Sequence, residues 1–152
     1  MKTNEFILNE LEIVYTNPMT KLGLDKVVSS RDAHKLIKPF FNENTLACQE
    51  EFIVMYMNQG SVPVGVYKVG KGGITSTVAD MRLIFGVALK SLATSMIVAH
   101  NHPSGTLLPS KNDKLLTKKI YEIGLIMDIA LVDHLIVTPS ECYYSFADQG
   151  LI

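Results

Sequence analysis

The architecture of the chain can be inferred outward from one segment, Ile97-Val98-Ala99-His100-Asn101-His102-Pro103-Ser104-Gly105. An apolar run that is typical of an inner strand ends here in two histidines, and a proline and a glycine then force a turn. Side chains alternate along a strand, so His100 and His102 point to the same side if the chain stays extended. Pro103 favours this, because the residue before a proline is pushed toward extended dihedral angles.

An acidic residue at the start of the next predicted helix completes a possible metal site. Asp113 follows His102 by eleven positions and Ser110 by three. Two imidazoles and one carboxylate can hold a zinc ion and leave one coordination position open for water, as catalytic zinc sites do. A simpler interpretation is that Ser110 is the N-cap of the helix and Asp113 only completes a capping box. A carboxylate held at a helix N-terminus still has one oxygen free to face a metal, so the sequence allows both roles.

A hydrolytic zinc site also needs a proton acceptor and a donor to the developing oxyanion. Ser110, beside the predicted ligands, can supply a hydroxyl. The acceptor is expected from Glu50 or Glu51, at the head of a predicted core strand. Glu50 is in phase with Phe52 and Val54, whereas Glu51 points the other way, and periodicity alone leaves open which face looks toward the metal.

Apolar patterns on both sides of this stretch predict a sheet. Strands are expected at residues 11–15, 50–57, 62–69, 95–99, 127–132, 133–137 and 143–146. Residues 58–61 predict a hairpin turn. The glycine-rich residues 70–73 lack the spacing of either common phosphate-binding loop, so we interpret them as a flexible connection. A first helix is predicted to begin at Ser29 and to end or bend at Pro39.

Two further helices flank the histidine stretch. One is predicted to open with Thr77 as a hydroxyl cap and Asp80 as the acid three positions later. Its core face is predicted to consist of Met81, Ile84, Phe85, Ala88 and Leu92. The other begins at Ser110 and is predicted to end near Ile123, where Gly124 would stop it. The order of elements predicts an α/β fold with three layers, in which a mixed sheet lies between helices.

Composition places the chain among folded, soluble proteins. It has 152 residues, 47% of them hydrophobic and 19% charged, which predicts one domain with a substantial core. The net charge of −1 does not indicate a polybasic surface for nucleic acid or membrane. The N-terminus lacks the apolar stretch of a signal peptide, and no segment is long enough to span a bilayer. We expect a cytoplasmic protein with two reduced cysteines, Cys48 and Cys142.

The motif His100-x-His102-x7-Ser110-x2-Asp113, with an upstream glutamate at a strand start, resembles that of JAMM (MPN+) metalloproteases. The amino-acid sequence of residues 99–105, 109–113 and 131–137 is similar to that of the JAB domain of bacterial RadC-like proteins. The resemblance runs from about residue 28 to residue 152 and implies a cytidine-deaminase-like JAB/MPN fold, with residues 1–27 as an extension packed on the domain. It also implies one zinc ion per chain, held by His100, His102 and Asp113. In the family's motif the catalytic glutamate stands two positions before an aromatic residue of the strand, which selects Glu50 and leaves Ser110 as the motif's serine.

The resemblance supports two hypotheses about function. The first is a zinc-dependent hydrolase that cleaves a peptide or isopeptide bond in an unknown protein or peptide, since family members outside bacteria act on ubiquitin-like conjugates. The alternative is a DNA repair or recombination module that serves as a scaffold. Longer RadC proteins carry a DNA-binding helix-hairpin-helix segment that residues 1–27 do not resemble, so direct DNA binding has weak support. The roles of Asp133 and His134 are open, because a histidine beside an acid can support a metal site or belong to the core.

Overall fold

A computed structural model describes residues 26–72 and 79–152. The helices in this part of the chain are α1 (Ser30–Ile37), α2 (Met81–Lys90) and α3 (Lys111–Met127), with a short 3-10 turn at Lys38–Phe40. The strands are β1 (Glu51–Met57), β2 (Pro63–Lys71), β3 (Ser95–Asn101), β4 (Ala130–Val137) and β5 (Tyr143–Ser145). They form one sheet in the order β2-β1-β3-β4-β5. No helix among the described residues has both the length and the apolar content needed to cross a membrane.

The sheet is mixed, as predicted. The pair β3–β4 is parallel, and the other neighbouring pairs are antiparallel. One face carries Phe52, Val54 and Tyr56, which pack with α2 and α3, and the opposite face carries Ile53 and Met55, which pack with α1. Every residue of β1 is buried, as an inner strand between two helical layers requires. This arrangement confirms the three-layer α/β fold.

The crossover from β3 to β4 brings the predicted site together. Helix α3 connects these parallel strands, so it begins near the carboxyl end of β3 and runs back along the sheet. His100 shares the face of Met96 and Val98, which is the face that α3 covers. The first turn of α3, which contains Asp113, therefore lies beside the end of the strand that carries His100.

The start of α2 and its core face differ from the prediction. Asp80 is itself the N-cap, because its side chain accepts a hydrogen bond from the Arg82 amide, so the predicted place of Asp80 three residues into the helix is wrong. Thr77 lies outside the described residues. Leu92 follows the helix with a φ of 54° and is 58% exposed, so it does not belong to the core face. Ile84, Phe85 and Ala88 are buried there as predicted.

Helix α3 continues past the predicted stop. Gly124 lies inside the helix, which ends at Met127, and Asp128 takes the left-handed conformation that terminates it. Gly124 is needed for another reason, because a Cβ there would collide with the backbone carbonyl oxygen of Ile129 as the chain turns back. The closing segment is also one strand, β4, rather than the two predicted at 127–132 and 133–137. The strand predicted at 11–15 lies outside the described residues.

Candidate metal centre

Three predicted ligands meet in one cluster. The ligand atoms of His100, His102 and Asp113 all lie within 4.8 Å of one another. The two Nε2 atoms are 3.0 Å apart, His100 Nε2 is 3.2 Å from Asp113 Oδ1, and His102 Nε2 is 3.4 Å from Asp113 Oδ2. Among the described residues this is the one group of three or more such side chains that could hold a metal ion.

The spacing of these atoms fits a zinc ion. Zinc–nitrogen and zinc–oxygen distances of about 2.0–2.1 Å in a tetrahedral site place neighbouring ligand atoms roughly 3.3 Å apart. The two Nε2 atoms are 3.0 Å apart, and each lies 3.2 or 3.4 Å from a different oxygen of Asp113, so the separations are of the size that a shared zinc ion requires. The chemistry of the set also fits, because two nitrogens and a carboxylate oxygen face one another and need a shared cation or proton between them.

Asp113 completes the capping box of α3 and also faces the two histidines. Its Oδ2 accepts a hydrogen bond of 2.6 Å from the Ser110 amide, and its own amide donates to Ser110 Oγ, so the capping box is complete. Oδ1 meanwhile faces His100. Burial alone would raise the pKa of Asp113, but the neighbouring His100 and His102 and the hydrogen bond from the Ser110 amide outweigh burial and hold the pKa far below the usual range. The carboxyl group is therefore ionised and held in place.

The orientation of His102 is fixed from behind. Its Nδ1 lies 2.7 Å from the carbonyl oxygen of Thr106, which can only accept a hydrogen bond. Nδ1 therefore carries the proton, and Nε2 is the nitrogen that faces the cluster. The hydrogen bond with Asp113 raises the pKa of His102, and burial opposes the increase. Without a cation, the cluster therefore favours the doubly protonated form of His102.

The two candidate glutamates have different surroundings. Glu51 is 2% exposed and pairs with Lys68 and Lys71 at 3.3 and 3.6 Å, on the side away from α3. Glu50 is partly buried, and its negative charge contributes to the raised pKa of His102, after the larger effects of Asp113 and Thr106. Glu50 is thus close enough to His102 to act on it electrostatically.

Asn101 holds the segment that delivers Glu50, a role that the sequence analysis missed. The side chain of Asn101 is fully buried, and its Oδ1 accepts a hydrogen bond of 2.7 Å from the Glu51 amide. Its Nδ2 donates to the carbonyl oxygens of Leu46 and Gln49 at 2.8 and 2.9 Å. Two of these contacts flank Glu50 directly along the chain. The position between the two histidines was the available signal, since alternation places it on the opposite face from His100.

His134 and Thr117 lie behind the cluster, and the sequence analysis gave neither a role. His134 Nε2 is 2.8 Å from His100 Nδ1, and His134 Nδ1 is 2.6 Å from Thr117 Oγ1. Phe146 stacks on the His134 ring with a centroid distance of 4.6 Å. Complete burial lowers the pKa of His134 well below its ordinary value, and the nearby His100 adds to this. The neighbouring pair Asp133–His134 was a signal in the sequence, whereas Thr117 gave none.

Asp133 takes no part in the contacts that join Thr117, His134 and His100. Its carboxylate accepts hydrogen bonds from the Ser145 hydroxyl at 2.6 Å and from the amides of His134 and Ala147 at 2.7 and 3.0 Å. Burial raises the pKa of Asp133, and these hydrogen bonds oppose the increase. Asp133 therefore ties β4 to β5 and the turn that follows it.

Comparison with known proteins identifies the family. The model of the RadC-like JAB domain matches residues 27–151. The chain belongs to the RadC-like JAB domain family. This family includes metallohydrolases, and the His100, His102 and Asp113 cluster is consistent with a metal site of the JAMM type.

The chain also resembles curated relatives that share this domain. It is 43% identical over 130 residues to a UPF0758 protein of Flavobacterium johnsoniae, covering 86% of this chain and 55% of the relative. It is 38% identical over 128 residues to a UPF0758 protein of Porphyromonas gingivalis, covering 84% and 55%. A UPF0758 protein of Streptococcus gordonii is 35% identical over 125 residues, covering 82% and 54%. The RadC-like chain thus spans just over half the length of these relatives.

Proposed function

We propose that the chain is a zinc-dependent hydrolase that cleaves a peptide or isopeptide bond in a protein or peptide substrate. The observation that carries this proposal is the convergence of the ligand atoms of His100, His102 and Asp113 within 4.8 Å, and the negative charge of Glu50 acts on His102. Zinc bound to three protein ligands would polarise the scissile carbonyl group and lower the pKa of a water molecule in the open position.

The remaining chemistry is assigned to two side chains. Glu50 accepts the proton of the attacking water and passes it to the leaving amine, as a general base and then a general acid. Ser110 Oγ already accepts a hydrogen bond from the Asp113 amide, so its hydroxyl hydrogen can be donated elsewhere. We assign that hydrogen to the oxyanion that forms on the attacked carbonyl.

The first test is the zinc content of the purified protein, measured by elemental analysis for the wild type and for Asp113→Asn. The asparagine side chain still has one carbonyl oxygen that can accept a hydrogen bond from the Ser110 amide, so this variant keeps the capping contact while it weakens the metal ligand. About one zinc per chain in the wild type, and a clear loss in a folded Asp113→Asn variant, are expected. No zinc in the wild type after incubation with zinc would contradict the proposal.

The second test separates the two glutamates by turnover. Glu50→Gln should bind zinc but lose most of its activity on peptide and isopeptide substrates, since amide groups do not accept the proton of water. Glu51→Gln is the matched control, and it should keep its activity because Glu51 pairs with Lys68 and Lys71 on the other face. Full turnover by Glu50→Gln would refute the assigned mechanism. Salt-sensitive binding to branched or single-stranded DNA by an inactive protein would favour a DNA-associated scaffold instead.

A further inference from the structure

A continuous chain of short contacts runs from α3 to the predicted metal site. Thr117 Oγ1 lies 2.7 Å from the carbonyl oxygen of Asp113, in its own helix, and 2.6 Å from His134 Nδ1. His134 Nε2 lies 2.8 Å from His100 Nδ1, and His100 Nε2 is the atom that faces His102 and Asp113. His134 is fully buried, and both nitrogens of its ring are engaged in these two contacts.

The direction of each hydrogen bond follows from the first one. A carbonyl oxygen can only accept, so the contact of 2.7 Å requires the Thr117 hydroxyl to donate its one hydrogen to Asp113. Thr117 Oγ1 must then accept from His134, which places the His134 proton on Nδ1. A neutral ring has one N–H group, so His134 Nε2 is an acceptor, and His100 must donate to it from Nδ1.

We propose that Thr117 and His134 are positioning residues that set the tautomer of His100 and leave its Nε2 unprotonated and directed at the metal site. The proposal rests on the proposed zinc site. It assigns to a buried threonine, one helical turn after Asp113, control over a ligand that Thr117 does not touch.

The rings of the two proposed histidine ligands are oriented by different hydrogen-bond partners, and this difference makes the proposal specific. His102 Nδ1 bonds directly to the Thr106 carbonyl oxygen at 2.7 Å. His100 Nδ1 instead meets His134 Nε2 at 2.8 Å, and the tautomer of His134 depends in turn on Thr117. Without the Thr117 hydroxyl, His134 can carry its proton on Nε2, and His100 would then carry its proton on the nitrogen that should bind the metal. A change at Thr117 should therefore disturb His100 and leave His102 unaffected.

The matched variants are Thr117→Val and Thr117→Ser. Valine has nearly the same shape as threonine but lacks the hydroxyl, whereas serine keeps the hydroxyl and loses a methyl group. Zinc affinity would be measured by competition with a chromophoric chelator. Loss of partners behind metal ligands typically weakens metal affinity about 10–100-fold, so we expect that decrease for Thr117→Val and a change of less than about threefold for Thr117→Ser.

A second measurement reads the tautomers without metal. Nitrogen-15 NMR of the imidazole rings in the zinc-free protein should show that His100 carries its proton on Nδ1 in the wild type and in Thr117→Ser. Thr117→Val should show a mixture at His100 and no change at His102. A purely structural role for Thr117 would change urea stability without changing this signature.

The outcomes separate this proposal from the proposed function. Wild-type protein that binds no zinc but shows the Nδ1 proton on His100 would refute the zinc site and support the contact chain. Wild-type protein that binds zinc, together with equal affinity in folded Thr117→Val, would refute the positioning role alone. If Thr117→Val does not fold, the wild-type NMR spectrum still decides, because a proton on Nε2 of His134 would overturn the proposal.

Discussion

Substitution of Asn101 by alanine should affect stability and the proposed catalysis through one set of contacts. The change removes three hydrogen bonds, each of which contributes about 0.5–1.5 kcal/mol to stability. It also leaves the Glu51 amide and the Leu46 carbonyl without these partners in a buried region, which adds to the cost. We therefore expect Asn101→Ala to lower the free energy of unfolding by about 2–5 kcal/mol.

The matched control for stability is Asn58→Ala. Asn58 Oδ1 accepts hydrogen bonds from the amides of Gly60 and Val62, but it lies in an exposed turn between β1 and β2. Water replaces such bonds, so the control should cost no more than about 1 kcal/mol. Urea unfolding of zinc-free protein, followed by circular dichroism, measures both values. A loss in Asn101→Ala no larger than that in Asn58→Ala would refute the assignment of Asn101 as the anchor of this segment.

The same substitution should separate metal binding from turnover. Asn101 bonds the chain on both sides of Glu50, whereas the proposed ligands are held by β3, α3 and the contacts behind them. A displacement of about 1 Å in a catalytic group can cost on the order of 100-fold in rate. We expect folded Asn101→Ala to keep its zinc and to lose kcat on a cognate substrate. Retained zinc with unchanged kcat would show that Asn101 does not position Glu50.

Two further predictions concern stability alone. Gly124→Ala should destabilise the protein by about 1–3 kcal/mol, because the new Cβ meets the Ile129 carbonyl oxygen. Gly86→Ala is the control, and because it lies in an open position of α2 it should stabilise the protein by about 0.5–1 kcal/mol. Equal urea midpoints for the two variants would contradict this prediction. Asp133→Asn should remove the part of the pH dependence of folding stability that the Asp133 carboxyl group causes. The raised pKa of Asp133 means that the folded state keeps its proton more tightly, so wild-type stability should fall relative to the variant as the pH rises above the ordinary aspartate value of 3.8. Urea unfolding from pH 3 to pH 7 measures the difference, and parallel curves would refute it.

The sequence predicted those parts of the site that depend on local periodicity. Strand alternation placed His100 and His102 together, and the capping pattern at Ser110 placed Asp113 in the first turn of α3. Periodicity could not decide between Glu50 and Glu51, because the answer depends on which face of the sheet α3 covers. That is a property of the β3–α3–β4 crossover and not of β1 itself.

The residues that the sequence analysis missed act over long separations in the chain. Thr117 meets His134 across 17 positions, His134 meets His100 across 34, and Asn101 meets Leu46 across 55. No local pattern encodes such pairs. Gly124 was misread for the same reason, since a glycine that ends a helix and one that allows a close approach to another backbone segment look alike in sequence.

The order of His100, Asn101 and His102 along one extended segment has a geometrical consequence. Because side chains alternate along an extended strand, His100 faces the layer that contains α3 and Asp113, and Asn101 faces the opposite layer, where it binds the segment before β1. The proposed metal ligand and the anchor of the proposed base are therefore neighbours in one strand, and their relative position is fixed by the backbone between them. A shift of β3 would carry both together, so the distance between metal and base should tolerate movements of the sheet better than it tolerates the loss of Asn101.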